Sequence, residues 1–218
     1  AISVYGSNQL HTVQLTSLHP SRRYYYKVVT GNLASEIYDF IIPSDPLDES
    51  SFKLVAMSDM QRDYLNPNKF EEIVHDGILT YLADEYTGDL PNDLQMVLIP
   101  GDLVDNGLSY SQWANTFFAP AHPLFAHVPV YPVLGNHEAN TGYYFDYFHL
   151  PETGTEGYEE HWWYTDYSNL RVIGLDSNPG YQLDVQLNWL DAVLDDACYR
   201  TEIDFVFAQL HHPYKSEL

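Results

Sequence analysis

Apolar positions follow two different rhythms on either side of a break rich in proline, aspartate and serine. Ahead of the break, "HTVQLTSL", "YYYKVVT" and "IYDFII" are short runs of β-branched and aromatic residues. They are parted by the turn-forming "HPSRR" and "GNLAS", which predicts an all-β leader over residues 1–44. "PSDPLDES", Pro43 to Ser50, has no periodicity, and residues 45–51 read as a linker. From Phe52 onward, continuous apolar runs alternate with amphipathic stretches. "FKLVAM", "LQMVLI", "VPVYPVL" and "IDFVFAQL" have the length of buried strands. "NKFEEIVHDGILTYLADEY" carries Phe70, Ile73, Val74, Ile78 and Leu82 at helical spacing. Further helices are expected around Ser109 to Phe118 and in "QLNWLDAVLDDA", and a hairpin from "HWWYTDY" and "LRVIGLD" turning at Ser168-Asn169. Such alternation predicts an α/β domain over residues 52–218, with a central sheet covered by helices on both faces.

The chemistry-bearing residues fall where those strands end. "LVAM" runs into Ser58-Asp59-Met60-Gln61, "MVLIP" into Gly101-Asp102, "YPVL" into Gly135-Asn136-His137-Glu138, and "FVFAQL" into His211-His212-Pro213. Ligands gather at the carboxyl ends of strands in open α/β sheets, so four segments distant in sequence can share one crevice. Their residue types suit a pair of cations. Two divalent ions about 3.5–4 Å apart can hold a phosphate, lower the pKa of a bound water and stabilise a leaving oxygen. Carboxylates such as Asp59 and Asp102 balance the positive charge, and His211 adds a nitrogen ligand. Gly101 and Gly135 allow the backbone to turn sharply before each ligand. Taken singly, Asp59 and Asp102 read as turn or helix-cap residues; the ordered set favours metal ligation.

Length and charge narrow the partners. A chain of 218 residues holds one full core and a small appendage. Thirty-one acidic against nine basic residues give a formal net charge of −22, which repels nucleic acid and anionic membrane surfaces. Most of that excess reads as a solvated face, with part of it available to divalent cations. No apolar run approaches the ~20 residues that would span a bilayer, so no membrane insertion is expected. No signal-peptide pattern opens the chain; a leader was either never present or already removed. Cys198 stands alone, excluding an intrachain disulfide, and its place in the apolar pattern of a helix predicts a buried thiol.

Taken in order, D-x-Q, "GDLVDNG", "GNHE" and "QLHHP", each behind a predicted strand, resemble the calcineurin-like metallophosphoesterases over residues 52–218. "PLFAHVPVYPVLGNHE", "WWYTDYSNLRVIGLDSN" and "QLNWLDAVL" support the resemblance. The leader phrase "LTSLHPSRRYYYKV" looks like the end of a fibronectin-III-like sandwich, similar to the domain ahead of the catalytic domain in purple acid phosphatases. The resemblance implies a β-sandwich core flanked by helices and incomplete at its C-terminus, preceded by part of an all-β sandwich. It also implies two divalent or trivalent ions (Fe, Mn or Zn), with hydrolysis of a phosphorylated small molecule or other phosphate ester by metal-activated hydroxide. By this likeness Asp59 and Asp102 bind the first ion, Asp102 bridges to the second, and Asn136 and His211 complete the second. His137 is the expected general acid. Gln61 stands where many members have histidine, so it is a direct or an outer contact to the metal. Asp105 replaces the tyrosine of purple acid phosphatases, so no tyrosinate-ligated ferric site is expected. The closing Gly-His-x-His motif does not occur before Leu218, which leaves each ion one ligand short in this sequence.

Other readings stay open beside this one. A catalytically inactive binding or surface protein could keep the fold with at most a partial metal site, and calcium could sit at acidic surface loops. His211 is favoured over His212 as ligand because family members keep the histidine two places before the proline. His11, His19, His75, His122, His127, His149 and His161 read as surface or packing residues, and Glu138 as support for a loop or ligand. Trp162, Trp163, Tyr143 and Tyr144 read as core or pocket wall rather than a base-stacking platform. The sandwich-plus-phosphatase arrangement suggests an extracellular or periplasmic setting. Oligomeric state is not legible.

Overall fold

The computed structural model describes residues 2–5, 8–48 and 50–213. Glu49 of the expected linker and the segment after Pro213 lie outside them. In the leader, six short strands form three separate antiparallel pairs: β1 (Ile2–Tyr5) with β2 (Asn8–His11), β3 (Arg23–Tyr26) with β6 (Tyr38–Ile41), and β4 (Val29–Thr30) with β5 (Leu33–Ala34). The strand expected over "HTVQLTSL" is therefore corrected. It ends at His11, and the chain from Thr12 to Leu18 carries no ladder, with Ser17 at positive φ. "YYYKVVT" likewise divides into β3 and β4, because Val29 and Thr30 turn away to pair locally with Ala34 and Leu33.

Polar contacts tie β3 and β6 to helices and loops that follow residue 51. Arg23 pairs with both Asp39 and Asp89, His127 Nδ1 lies 2.6 Å from Asp39, and the Tyr26 hydroxyl donates to the Ala126 carbonyl at 2.8 Å.

Two three-stranded sheets replace the single central sheet expected from periodicity. The first is wholly parallel, in the order β7 (Leu54–Ala56), β8 (Met96–Ile99), β9 (Val130–Pro132). The second pairs β10 (Trp163–Tyr167) antiparallel to β11 (Leu170–Gly174), and β11 parallel to β12 (Phe205–Gln209). Side chains join the sheets: the Tyr131 and Trp163 rings lie 5.8 Å apart, and Gln209 Nε2 donates to the Tyr131 carbonyl at 2.9 Å. Stacking the two sheets buries Trp163 and Val172 in the same core as Val97 and Ile99.

A helix over residues 69–85 lays Phe70, Val74, Ile78 and Leu82 into that core. Ile73, expected on the same face, is 40% exposed. The middle of this helix, Ile73–Leu79, is π-wound, and its wider turns align positions four apart, rotating Ile73 to solvent. The second helix is longer than expected, running over 110–125 with Trp113 and Phe117 buried. Leu90–Asp93 and Gly142–Tyr147 are short helices that periodicity did not reveal. Along helix Asp184–Tyr199 the core takes Gln186, Val193 and Ala197, so the next residue, Cys198, is exposed rather than buried.

Candidate metal centre

Five strand ends of these sheets meet at one edge of the molecule, because every parallel strand points its carboxyl end the same way. β7 delivers Asp59, β8 delivers Asp102, β9 delivers Asn136 and His137, and β12 delivers His211; β11 ends beside them in Asp176-Ser177-Asn178. Asp59, Asp102 and His211 each offer a ligand atom within 4.8 Å of one another. Gln61 Nε2 donates to Asp102 Oδ2 at 3.3 Å, and Asn136 Oδ1 is 3.2 Å from His211 Nε2. Asp59, Gln61, Asp102, Asn136 and His211 thus lie in one neighbourhood.

Backbone geometry enforces the gathering. Asp59 and Asp102 both sit at positive φ (57° and 54°), unusual for a residue with a Cβ. The pair is held by amides: Asp59 N donates to the Gly101 carbonyl at 3.3 Å and Met60 N to that of Asp102 at 2.9 Å. Gly135 has no space for a side chain, since a Cβ there would meet Asp102 Oδ1 at 2.2 Å and Asp102 N at 2.3 Å. A Cβ on Gly101 would come within 2.8 Å of Gly135 and His211. Glycine at both positions lets the β8, β9 and β12 loops touch.

Glu138, fully buried, is the fastener beneath them. Its carboxylate accepts hydrogen bonds from the amides of Gly135 (2.8 Å), Asp102 (2.9 Å) and Leu103 (2.8 Å), welding the β8 loop to the β9 loop. Burial pushes its pKa up, and these amide bonds work in the opposite direction.

The donor set fits a cation. His211 Nδ1 donates to the Pro100 carbonyl at 2.8 Å, which aims Nε2 at Asn136 Oδ1 and, at 3.3 Å, at Asp102 Oδ2. An unprotonated Nε2 would face the Asp102 carboxylate with no proton between them, a repulsion that a second proton or a metal ion relieves. Its hydrogen bond with Asp102 accordingly pushes His211 up to about 9. Burial of Asp102 opposes ionisation, but hydrogen bonds from His211 and the His137 amide outweigh it and hold the carboxyl below its usual range. The buried Gln61 Oε1 has no hydrogen-bond partner, an orphan acceptor beside the cluster. Asp, Asn, Gln and His together suit hard or borderline ions.

His137 stands at the margin, half-buried. Its amide donates to Asp102 Oδ1 at 3.1 Å, and its Nδ1 donates to the Asp105 carbonyl at 2.7 Å, which fixes the ring and leaves Nε2 3.7 Å from Asp102 Oδ2. The Asp105 carbonyl bond is the main influence raising its pKa. His161, read as packing, has a definite place: Nδ1 is 2.7 Å from the buried Asp176, and its ring stacks on Tyr181 at 4.2 Å. Periodicity and motif spacing overlook Ser177 and Asn178, since in "LDSNPG" they resemble ordinary turn residues.

Comparison with known proteins identifies the family. The calcineurin-like phosphoesterase family matches residues 52–216. A purple acid phosphatase from Glycine max is 23% identical over 228 residues, covering 96% of this chain and 45% of the relative. A purple acid phosphatase isolated from yellow lupin (Lupinus luteus) seeds superimposes with a TM-score of 0.65 at 20% identity, over 89% of this chain and 37% of that one. At that identity the structural likeness speaks for the fold. The chain spans less than half the length of either relative.

Proposed function

The chain belongs to the calcineurin-like phosphoesterase family, and from that premise we propose that it is the metal-binding core of a metal-dependent phosphate-ester hydrolase with a dinuclear centre. The observation that carries this reading is the convergence of Asp59, Asp102 and His211 within 4.8 Å. Asp59 and Asp102, with Gln61 in direct or outer contact, would hold one ion; Asp102, Asn136 and His211 would hold the other. Bound ions supply the positive charge that attracts a phosphate ester into a chain of net charge −22 and the Lewis acidity that activates its phosphorus and a water. This chain's own residues do the rest. His137, with Nδ1 fixed on the Asp105 carbonyl, presents Nε2 as the proton donor to the leaving oxygen. Glu138 keeps the Asp102 and Asn136 loops at a constant separation, so that the ligands need not be ordered on binding.

Substrates in this reading are phosphomonoesters or phosphodiesters, the metals are Fe, Mn or Zn, and the setting is extracellular or periplasmic. Among the described residues no helix is long and apolar enough to cross a membrane. Residues 1–44 are read as the C-terminal part of a fibronectin-III-like domain and residues 45–51 as a linker. Aryl phosphate hydrolysis should require added Mn²⁺, Fe²⁺ or Zn²⁺, and His137→Ala should lower kcat about 10²–10⁴-fold with KM little changed. Two ions bound without turnover on mono- or diesters would overturn hydrolysis. Fewer than one tightly bound ion, with no effect of His137→Ala, would favour a non-catalytic relative that keeps only the fold.

A further inference from the structure

Asn136 and His211 come from strands of different sheets, and β9 and β12 exchange no ladder bonds. Something other than a sheet must set their spacing. The segment after β11 lies between them and touches both. On one side Asn178 Nδ2 donates to the carbonyls of Leu134 (3.3 Å) and Gly135 (3.4 Å), the two residues just before Asn136. On the other, Ser177 Oγ accepts the amide hydrogen of His212 at 2.8 Å and lies 3.2 Å from His212 Nδ1, directly after His211.

The segment is itself immobilised. Buried Asp176 accepts from the Asn178 amide and from Asn178 Nδ2, both at 2.9 Å. Gln186 brackets the Asp176 backbone, accepting from its amide at 2.9 Å and donating to its carbonyl at 3.0 Å. Gln182 Nε2 donates to the Ser177 carbonyl at 2.7 Å, and Leu175 N donates to the Gln209 carbonyl at 3.0 Å. A further link reaches the Asn136 loop where Asn140 Nδ2 donates to the Tyr181 hydroxyl at 2.6 Å.

We propose that Ser177 and Asn178 are positioning residues that fix the separation of Asn136 and His211 and thereby set the affinity of the second cation. This rests on the metal-centre reading above. Neither residue offers a ligand to the ion; each acts on the backbone that carries one. Outer contacts of this kind are worth about 10–100-fold in metal affinity. The first ion, held by Asp59 and Asp102, depends on β7 and β8 and should be indifferent to them.

Calorimetric titration with Mn²⁺ tests this in the wild-type protein and in Asn178→Ala, Ser177→Ala, Ser177→Thr and Asp59→Asn, each checked for an unchanged metal-free unfolding midpoint. Two binding steps are expected in the wild type, one of which Asp59→Asn removes. Asn178→Ala and Ser177→Ala should each weaken the other step about 10–100-fold, while Ser177→Thr, which keeps the hydroxyl, restores it. The two alanine variants are read independently, so either suffices if the other fails to fold. Equal weakening of both steps, or no change in either, overturns the brace while leaving the metal centre standing. A wild type that binds no Mn²⁺ overturns both.

Discussion

β8 and β12 both end in a proposed metal ligand, yet they are built in opposite ways. β8 lies between β7 and β9 with all four of its residues buried, and its ligand Asp102 is fastened underneath by Glu138. β12 is an edge strand whose first four residues, Phe205 to Ala208, are exposed, and His211 comes after it with its ring held through Nδ1 on the Pro100 carbonyl. The contrast separates rigidity from affinity. In the proposed dinuclear centre, a ligand that would serve both ions must not move, whereas one that would serve a single ion can hang from a tolerant edge provided a neighbouring loop holds its position.

Substitutions should reveal this asymmetry. The largest effect is expected at Glu138. Glu138→Ala orphans the buried amides of Gly135, Asp102, Leu103 and Val104, each costing about 1–3 kcal/mol, so chemical denaturation should show a loss of roughly 4 kcal/mol or more together with loss of metal binding. Next comes the strand itself: Leu98→Ala, at 4% exposure, should cost about 2–5 kcal/mol. Phe207→Thr, at 46% exposure on β12, should cost under about 1 kcal/mol in the same assay and is the smallest effect expected. Equal losses at Leu98 and Phe207 would break the comparison.

An effect between those two belongs to the second sheet's side of the molecule. Burial lifts Glu160 to about 7, against an unfolded value near ~4.3. Between those values the folded state binds more protons than the unfolded one. This contribution is therefore fully present below about pH 4 and is lost as pH rises through about 7. With Glu160 only half-buried, the span should be on the order of 1 kcal/mol after solvent screening. Glu160→Gln should flatten that slope in urea midpoints measured across pH 4–8; an unchanged slope would assign it to other groups.

The gathering of the proposed ligands is legible in the sequence because each comes after an apolar strand, and an apolar run ending in Asp, Asn or His shows itself without any knowledge of its neighbours. The hairpin turn at Ser168-Asn169 is marked by an equally local signal. What escapes depends on phase or on distance. Ile73 departs from its expected place because π winding changes the number of residues per turn, and Cys198 because one residue's rotation separates it from buried Ala197. The split into two sheets hinges on which strands pair, and strand-and-helix alternation alone does not encode that. Ser177 and Asn178 are unremarkable in "LDSNPG", since their partners at Leu134, Gly135 and His212 lie 35 or more residues away.

A cation bounded by Asp59, Asp102 and His211 is the central claim, and anomalous scattering from crystals soaked in Mn²⁺ tests it directly. A peak between these three side chains, reaching toward Asn136 and absent in Asp102→Asn, is the result expected. Manganese found only at other surface carboxylates, with the three side chains bare, would contradict it.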